Sequence, residues 1–180
     1  MLKKSSQVAL GGLISALCII LMMMTGILPF LSYAVPAAAG FLMVVMVIEC
    51  GTKWALVVYV AVSILSLLIA PDKTAAFIFI FFLGFYPILK GSLEKIPSRI
   101  IQWSIKIVLF NICIIAAYLM MIYVLKMPEV MTEMGDLGRY TGIITLALGN
   151  FVFVVFDIAL TRIISAYILW FRPKFLRRFG

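Results

Sequence analysis

Six long apolar runs follow one another along the chain, each closed by a charged residue, a proline or a glycine. They cover Gln7–Leu28, Ala34–Glu49, Lys53–Ala70, Thr74–Leu89, Ile101–Leu125 and Tyr140–Phe171. A helix needs about 20 apolar residues to cross a hydrocarbon core of about 30 Å. None of the runs alternates residue by residue, as the strands of a membrane barrel do. The pattern predicts an all-α, polytopic integral membrane protein: one domain over residues 1–180, folded as a six-transmembrane-helix bundle with short connections. Runs two and four are the shortest, which predicts upright helices or a locally thinned bilayer. Pro29 stops the first run and Pro36 suits the first turn of the second, where a missing N–H costs little. Pro71 ends the third, and Pro87 is expected to kink or end the fourth. Between runs two and three, Glu49-Cys50-Gly51-Thr52-Lys53 reads as a tight turn rather than a continuous helix.

Composition removes the soluble alternatives. Of 180 residues, 66% are hydrophobic and 12% charged, and the mean hydropathy is +1.23. A soluble domain of this size needs a polar exterior and carries about twice that share of charge. The opening Met1-Leu2-Lys3-Lys4 resembles a secretion signal, but the run from Val8 to Leu28 is too long and lacks a small-residue cleavage site. It reads as a first membrane helix.

The net charge of +8 raises the question of nucleic acid. Its distribution answers otherwise. Lys3, Lys4, Lys53, Lys90, Lys95, Arg99, Lys106, Arg162, Arg172, Lys174, Arg177 and Arg178 fall on one side of the alternating runs, and only Lys73, Lys126 and Arg139 on the other. Nucleic-acid binders cluster their bases on a folded face, whereas short basic turns orient membrane helices with their positive side inward. The partner predicted is the lipid bilayer, in the plasma membrane, with the N-terminus and C-terminus both cytoplasmic.

Chemistry is sparse. There is no histidine, and Cys18, Cys50 and Cys113 stand apart, without the spacing of a metal site. No phosphate-cradling loop, zinc motif or nucleophile elbow occurs, so no catalytic residue, metal or cofactor is expected. The exceptions are polar groups inside the runs, which are costly in lipid and mark sites by default. Asp157 lies deep in run six; Asn150 precedes it by two turns and Thr161 follows at i+4, on one stripe. Lys106 and Asn111 of run five are placed to face that stripe. One reading is a polar cavity or coupling site between helices five and six; the other is an interhelical clamp. Glu49 with Lys53 and Lys90 with Glu94 have i, i+4 spacing and predict interfacial ion pairs. Phe77 to Tyr86 is dense in aromatics, suited to a wall for a flat ligand or to lipid-facing phenylalanine. The longest outer connection, Lys126 to Arg139, is long enough to cover a pocket.

Ser5, Ala9, Gly12 and Ala16 put small side chains on one stripe of the first helix, the pattern that lets another helix approach closely. With six spans in 180 residues, both ends inside, and a Pro-containing first outer loop from Pro29 to Pro36, the chain resembles the substrate-binding S components of energy-coupling factor transporters. That family spaces its helix-one alanines four apart, whereas Ala9 is followed at i+4 by Leu13. The resemblance implies a small-molecule ligand, a vitamin-like nutrient, bound from outside among helices four to six, with Tyr86, Asn111, Tyr140 and Asn150 on the pocket side. It also implies docking through Ala9, Gly12 and Ala16 to a transmembrane coupling subunit driven by partner ATPases. The alternative is a non-transporting scaffold, similar in size and span number to the rod-shape protein of the cell-wall elongation machinery. A third possibility, an ion-coupled carrier using Asp157, lacks the matching half-sequences of inverted repeats.

Overall fold

The computed structural model describes residues 3–27, 32–124, 126 and 141–172, and all regular structure among them is helical. Helix α1 is Lys4–Met24, α2 Ala34–Cys50 and α3 Thr52–Ile69. Helix α4 runs Lys73–Leu93. Helix α5, Arg99–Leu119, continues as a π-helical segment over Met120–Val124. Helix α6, Thr141–Ala166, ends in another over Tyr167–Phe171. Five of the six are long and apolar enough to cross a membrane; α2, at 17 residues, is shorter.

Helix α2 is the hub of the bundle, packed against α1, α3, α4 and α6. One side sends Ala39, Met43 and Met46 into a core with Ile14, Cys18, Met22, Val58 and Val62. The other sends Val44 against Phe82, Tyr86, Phe110, Phe153 and Phe156. A helix apolar on both sides needs cover on both sides, and α2 has it.

Its short length has local causes. At its C-terminal end Gly51 adopts φ 85° and ψ 170°, a conformation that L side chains rarely take. The Gly51 N–H still bonds the Val47 carbonyl at 3.1 Å, and α3 starts at the next residue. The turn expected between runs two and three is this one.

Helix α4 holds the main difference from the sequence expectation. Instead of ending near Leu89 it reaches Leu93, and it passes Pro87 by changing its winding. Phe79–Leu83 form a π-helical segment, with the Gly84 N–H bonded to the Phe79 carbonyl at 2.8 Å. Regular helix resumes at Tyr86, so Pro87 sits in a first turn, where its lost N–H is harmless. A β-carbon on Gly84 would stand 2.6 Å from the Phe79 ring, so the segment requires glycine. Pro87 cannot donate to the Leu83 carbonyl one turn back, and Gly40 of α2 lies directly against that carbonyl. Around the π segment, Phe79 and Phe82 are fully buried. Phe82 packs edge-on to Phe110 and Phe153 with centroids at 5.0 and 5.3 Å. These aromatics form core, rather than a lipid-facing surface or a ligand wall.

Other ends differ by a turn or less. Helix α1 starts at Lys4 and stops at Met24, where the Thr25 hydroxyl donates to the Met22 carbonyl at 2.7 Å. Asp72 caps α4 by accepting from the Ala75 N–H at 3.2 Å. Lys73 caps the end of α3, donating to the Leu67 and Ala70 carbonyls at 2.9 and 3.0 Å.

Contacts at the two ends show successive helices running in opposite directions. Tyr33, before α2, meets Tyr118, late in α5, hydroxyl to hydroxyl at 3.5 Å, and Gly26 lies against Pro71. At the opposite end Glu49 pairs with Arg172. Outward faces are apolar: only 22% of the apolar window of α5, and the same share of α6, is buried inside the protein, against 56% for α4. Soluble monomers rarely leave so continuous an apolar surface open to water.

Candidate functional site

Asp157 sits about two and a half turns before the end of α6, where α4 finishes and α5 begins, and it gathers side chains from both. Its carboxylate accepts from the Tyr86 hydroxyl and from Lys90 Nζ, both of α4. Lys106 Nζ of α5 grips both carboxylate oxygens, at 3.1 and 3.0 Å. Lys90 also donates to the Asp157 carbonyl at 3.2 Å, and the Thr161 hydroxyl to the same carbonyl at 3.0 Å. The Lys90 and Lys106 side chains are 1% and 2% exposed, and Asp157 is 5%.

Two buried cations against one buried anion leave an uncompensated charge, which apolar surroundings do not tolerate. Glu94 supplies the balance. Just past the end of α4, it bonds Lys90 at 2.8 Å and stands 3.6 Å from Lys106. Unlike the other members it is 38% exposed. The network therefore holds two positive and two negative groups, and its one solvent-reachable charged group is Glu94. The Trp103 ring stands 5.2 Å from Lys106 Nζ, a cation–π distance.

One helical turn and more above, Asn111 and Asn150 exchange hydrogen bonds at 3.1 and 3.0 Å. Each spends its other N–H on the carbonyl four residues back, Ile107 and Leu146, both at 2.8 Å. The pair bolts α5 to α6.

The sequence stripe Asn150, Asp157 and Thr161 thus meets Lys106 and Asn111, as side-chain pairs rather than around a polar cavity. Tyr86 is fully buried, its hydroxyl engaged by Asp157. Tyr140 lies outside the described residues. Lys90 bonds Glu94 as its spacing suggested, but its stronger commitment, to Asp157 across 67 residues, leaves no trace in local spacing. Glu49 is taken up by Arg172 at 3.3 Å and by the Tyr167 hydroxyl at 3.2 Å. Gly51 interrupts the helix between Glu49 and Lys53, so the i, i+4 geometry those two would need is not formed.

On α1, Ser5, Ala9, Gly12 and Ala16 are all exposed. A β-carbon on Gly12 would meet nothing within 4 Å, whereas one on Gly11 would meet Val58 of α3. Packing within the bundle uses Gly11 and leaves the small-residue stripe facing out. Between α5 and α6, toward the far end from the ion cluster, lies a half-open apolar cavity of about 180 Å³ lined by Phe110, Ile114, Tyr118, Leu146 and Gly149 among others.

Comparison with protein-family models, with curated proteins and with solved structures returns no match for this chain.

Proposed function

We propose that the chain is an integral membrane subunit that works docked to a second membrane protein through α1, as the substrate-binding component of a small-molecule uptake transporter energised by partner ATPases. One observation carries the reading. The small residues of α1 face away from the bundle, and Gly12 has open space where a partner backbone can approach. A helix used only for internal packing would turn that stripe inward. The cavity between α5 and α6 lies in the part of the bundle where the resemblance expects a ligand, and its lining favours an apolar one. The orientation that goes with this reading places the basic turns and both ends in the cytoplasm.

A second reading has its own support. The charges of the ion cluster balance within it and the Asn111–Asn150 pair exchanges its hydrogen bonds, so these contacts hold the bundle together and serve a scaffold equally well.

Affinity purification of the full chain from native membranes separates the two. The transporter reading expects co-recovery of a membrane coupling subunit and ATPases, lost when Gly12→Leu fills the stripe. Recovery of cell-wall assembly proteins instead, or of coupling partners undiminished by Gly12→Leu, contradicts it.

A further inference from the structure

The buried cluster requires a counter-anion, and the residue that provides it is the one member placed to leave. Lys90 and Lys106 are fixed on Asp157, and Tyr86 is neutral, so the buried part of the network carries one excess positive charge. Lys90 spends its donors on the Asp157 carboxylate, the Asp157 carbonyl and Glu94. Lys106 spends two on Asp157, and Glu94 at 3.6 Å is beyond hydrogen-bonding distance from it. Its remaining N–H has no acceptor within hydrogen-bonding distance among the described residues. Glu94 itself follows the last turn of α4, partly exposed, in a connection of five residues before Arg99. Lys95 and Arg99, both exposed, flank it and raise the local positive potential.

From this geometry we infer that the α4–α5 connection is an oxyanion site in which Glu94 is a built-in stand-in. A phosphate-type oxyanion enters as Glu94 swings out, takes the Lys90 and Lys106 donors, and restores charge balance with a second oxygen available to Lys106. A tetrahedral oxyanion offers separate oxygens to Lys90 and Lys106, where the Glu94 carboxylate bonds Lys90 at 2.8 Å but reaches Lys106 only at 3.6 Å. The connection lies at the end of two apolar helices, so the group arrives either as the headgroup of an anionic lipid or as a free phosphate. The inference is independent of the partner proposed for α1.

Native mass spectrometry and thermal shift of the full chain in neutral detergent test it, with phosphatidylglycerol, phosphatidylcholine and inorganic phosphate as probes. Removing the internal competitor in Glu94→Gln or Glu94→Ala should tighten phosphatidylglycerol binding about fivefold, the size of one exposed ion pair. Adding Lys106→Gln should abolish that gain. A gain for inorganic phosphate as well assigns the site to free oxyanions, and a gain for phosphatidylglycerol alone assigns it to the lipid headgroup. Binding of phosphatidylglycerol and of inorganic phosphate that is the same in wild type and both Glu94 variants, an equal gain for phosphatidylcholine, or a gain that survives Lys106→Gln overturns the inference.

Discussion

Asp157 is the residue on which most of the buried polarity depends. Removing its charge leaves Lys90 and Lys106 side by side without an anion between them, and breaking a buried pair from one side costs about 3–5 kcal/mol. Asp157→Asn should therefore lower the midpoint of thermal unfolding in detergent sharply, while Glu94→Gln, at a partly exposed position, should lower it far less. Equal midpoints for wild type and Asp157→Asn would contradict the charge accounting. The Asn111–Asn150 exchange is a separate unit. A double-mutant cycle with Asn111→Ala and Asn150→Ala should give a coupling of about 1 kcal/mol, within the range of interhelical hydrogen bonds in membranes. Half of this site was legible in the sequence, because an aspartate or asparagine inside an apolar run has few acceptable neighbours. Asp157, Asn150, Asn111 and Lys106 were found that way. Lys90 was not, since a lysine at a helix boundary looks the same whether it faces headgroups or folds inward. Tyr86, which the family resemblance places on the pocket side, carries no local sign of the carboxylate 71 residues away that its hydroxyl bonds. The partners of Glu49 were hidden likewise, by a separation of 118 residues to Tyr167.

Among the elements, α2 and α4 decide the packing. Pro87 deprives the Leu83 carbonyl of its helical donor, and only a glycine at position 40 lets α2 lie against it. Gly40→Ala should thus destabilise the protein by about 1–3 kcal/mol, the scale of overpacking, whereas Gly12→Ala, with nothing nearby, should leave unfolding far less changed. Similar midpoints for the two variants would show that α2 and α4 are not locked at this contact. The helices themselves were plain in the hydropathy pattern, since six apolar runs of helical length leave little choice. Their irregularities were not. Nothing in Phe79-Ile80-Phe81-Phe82-Leu83 signals a π-helical segment, which arises because the helix must bring Pro87 into a first turn and still bury both Phe82 and Tyr86. The direction of each small residue on α1 was equally hidden: Gly11 and Gly12 are neighbours in sequence, yet one is packed on Val58 and the other open.

At the scale of the molecule, the number of crossings decides where the two ends lie. Five helices are long and apolar enough to span; the orientation proposed from the charge alternation takes α2, shorter but at the centre of the bundle, as a sixth crossing. The two possibilities differ in a simple way. If α2 crosses, both ends of the chain lie on the same side; if it enters and returns, they lie on opposite sides. Single cysteines at Ser5 and at Arg177, in a chain whose Cys18, Cys50 and Cys113 are replaced by serine or alanine, report the two ends to a membrane-impermeant maleimide. In intact cells neither should react, and after permeabilisation both should. Labelling of one end and not the other in intact cells would remove the sixth crossing and with it the cytoplasmic basic face on which the orientation is built.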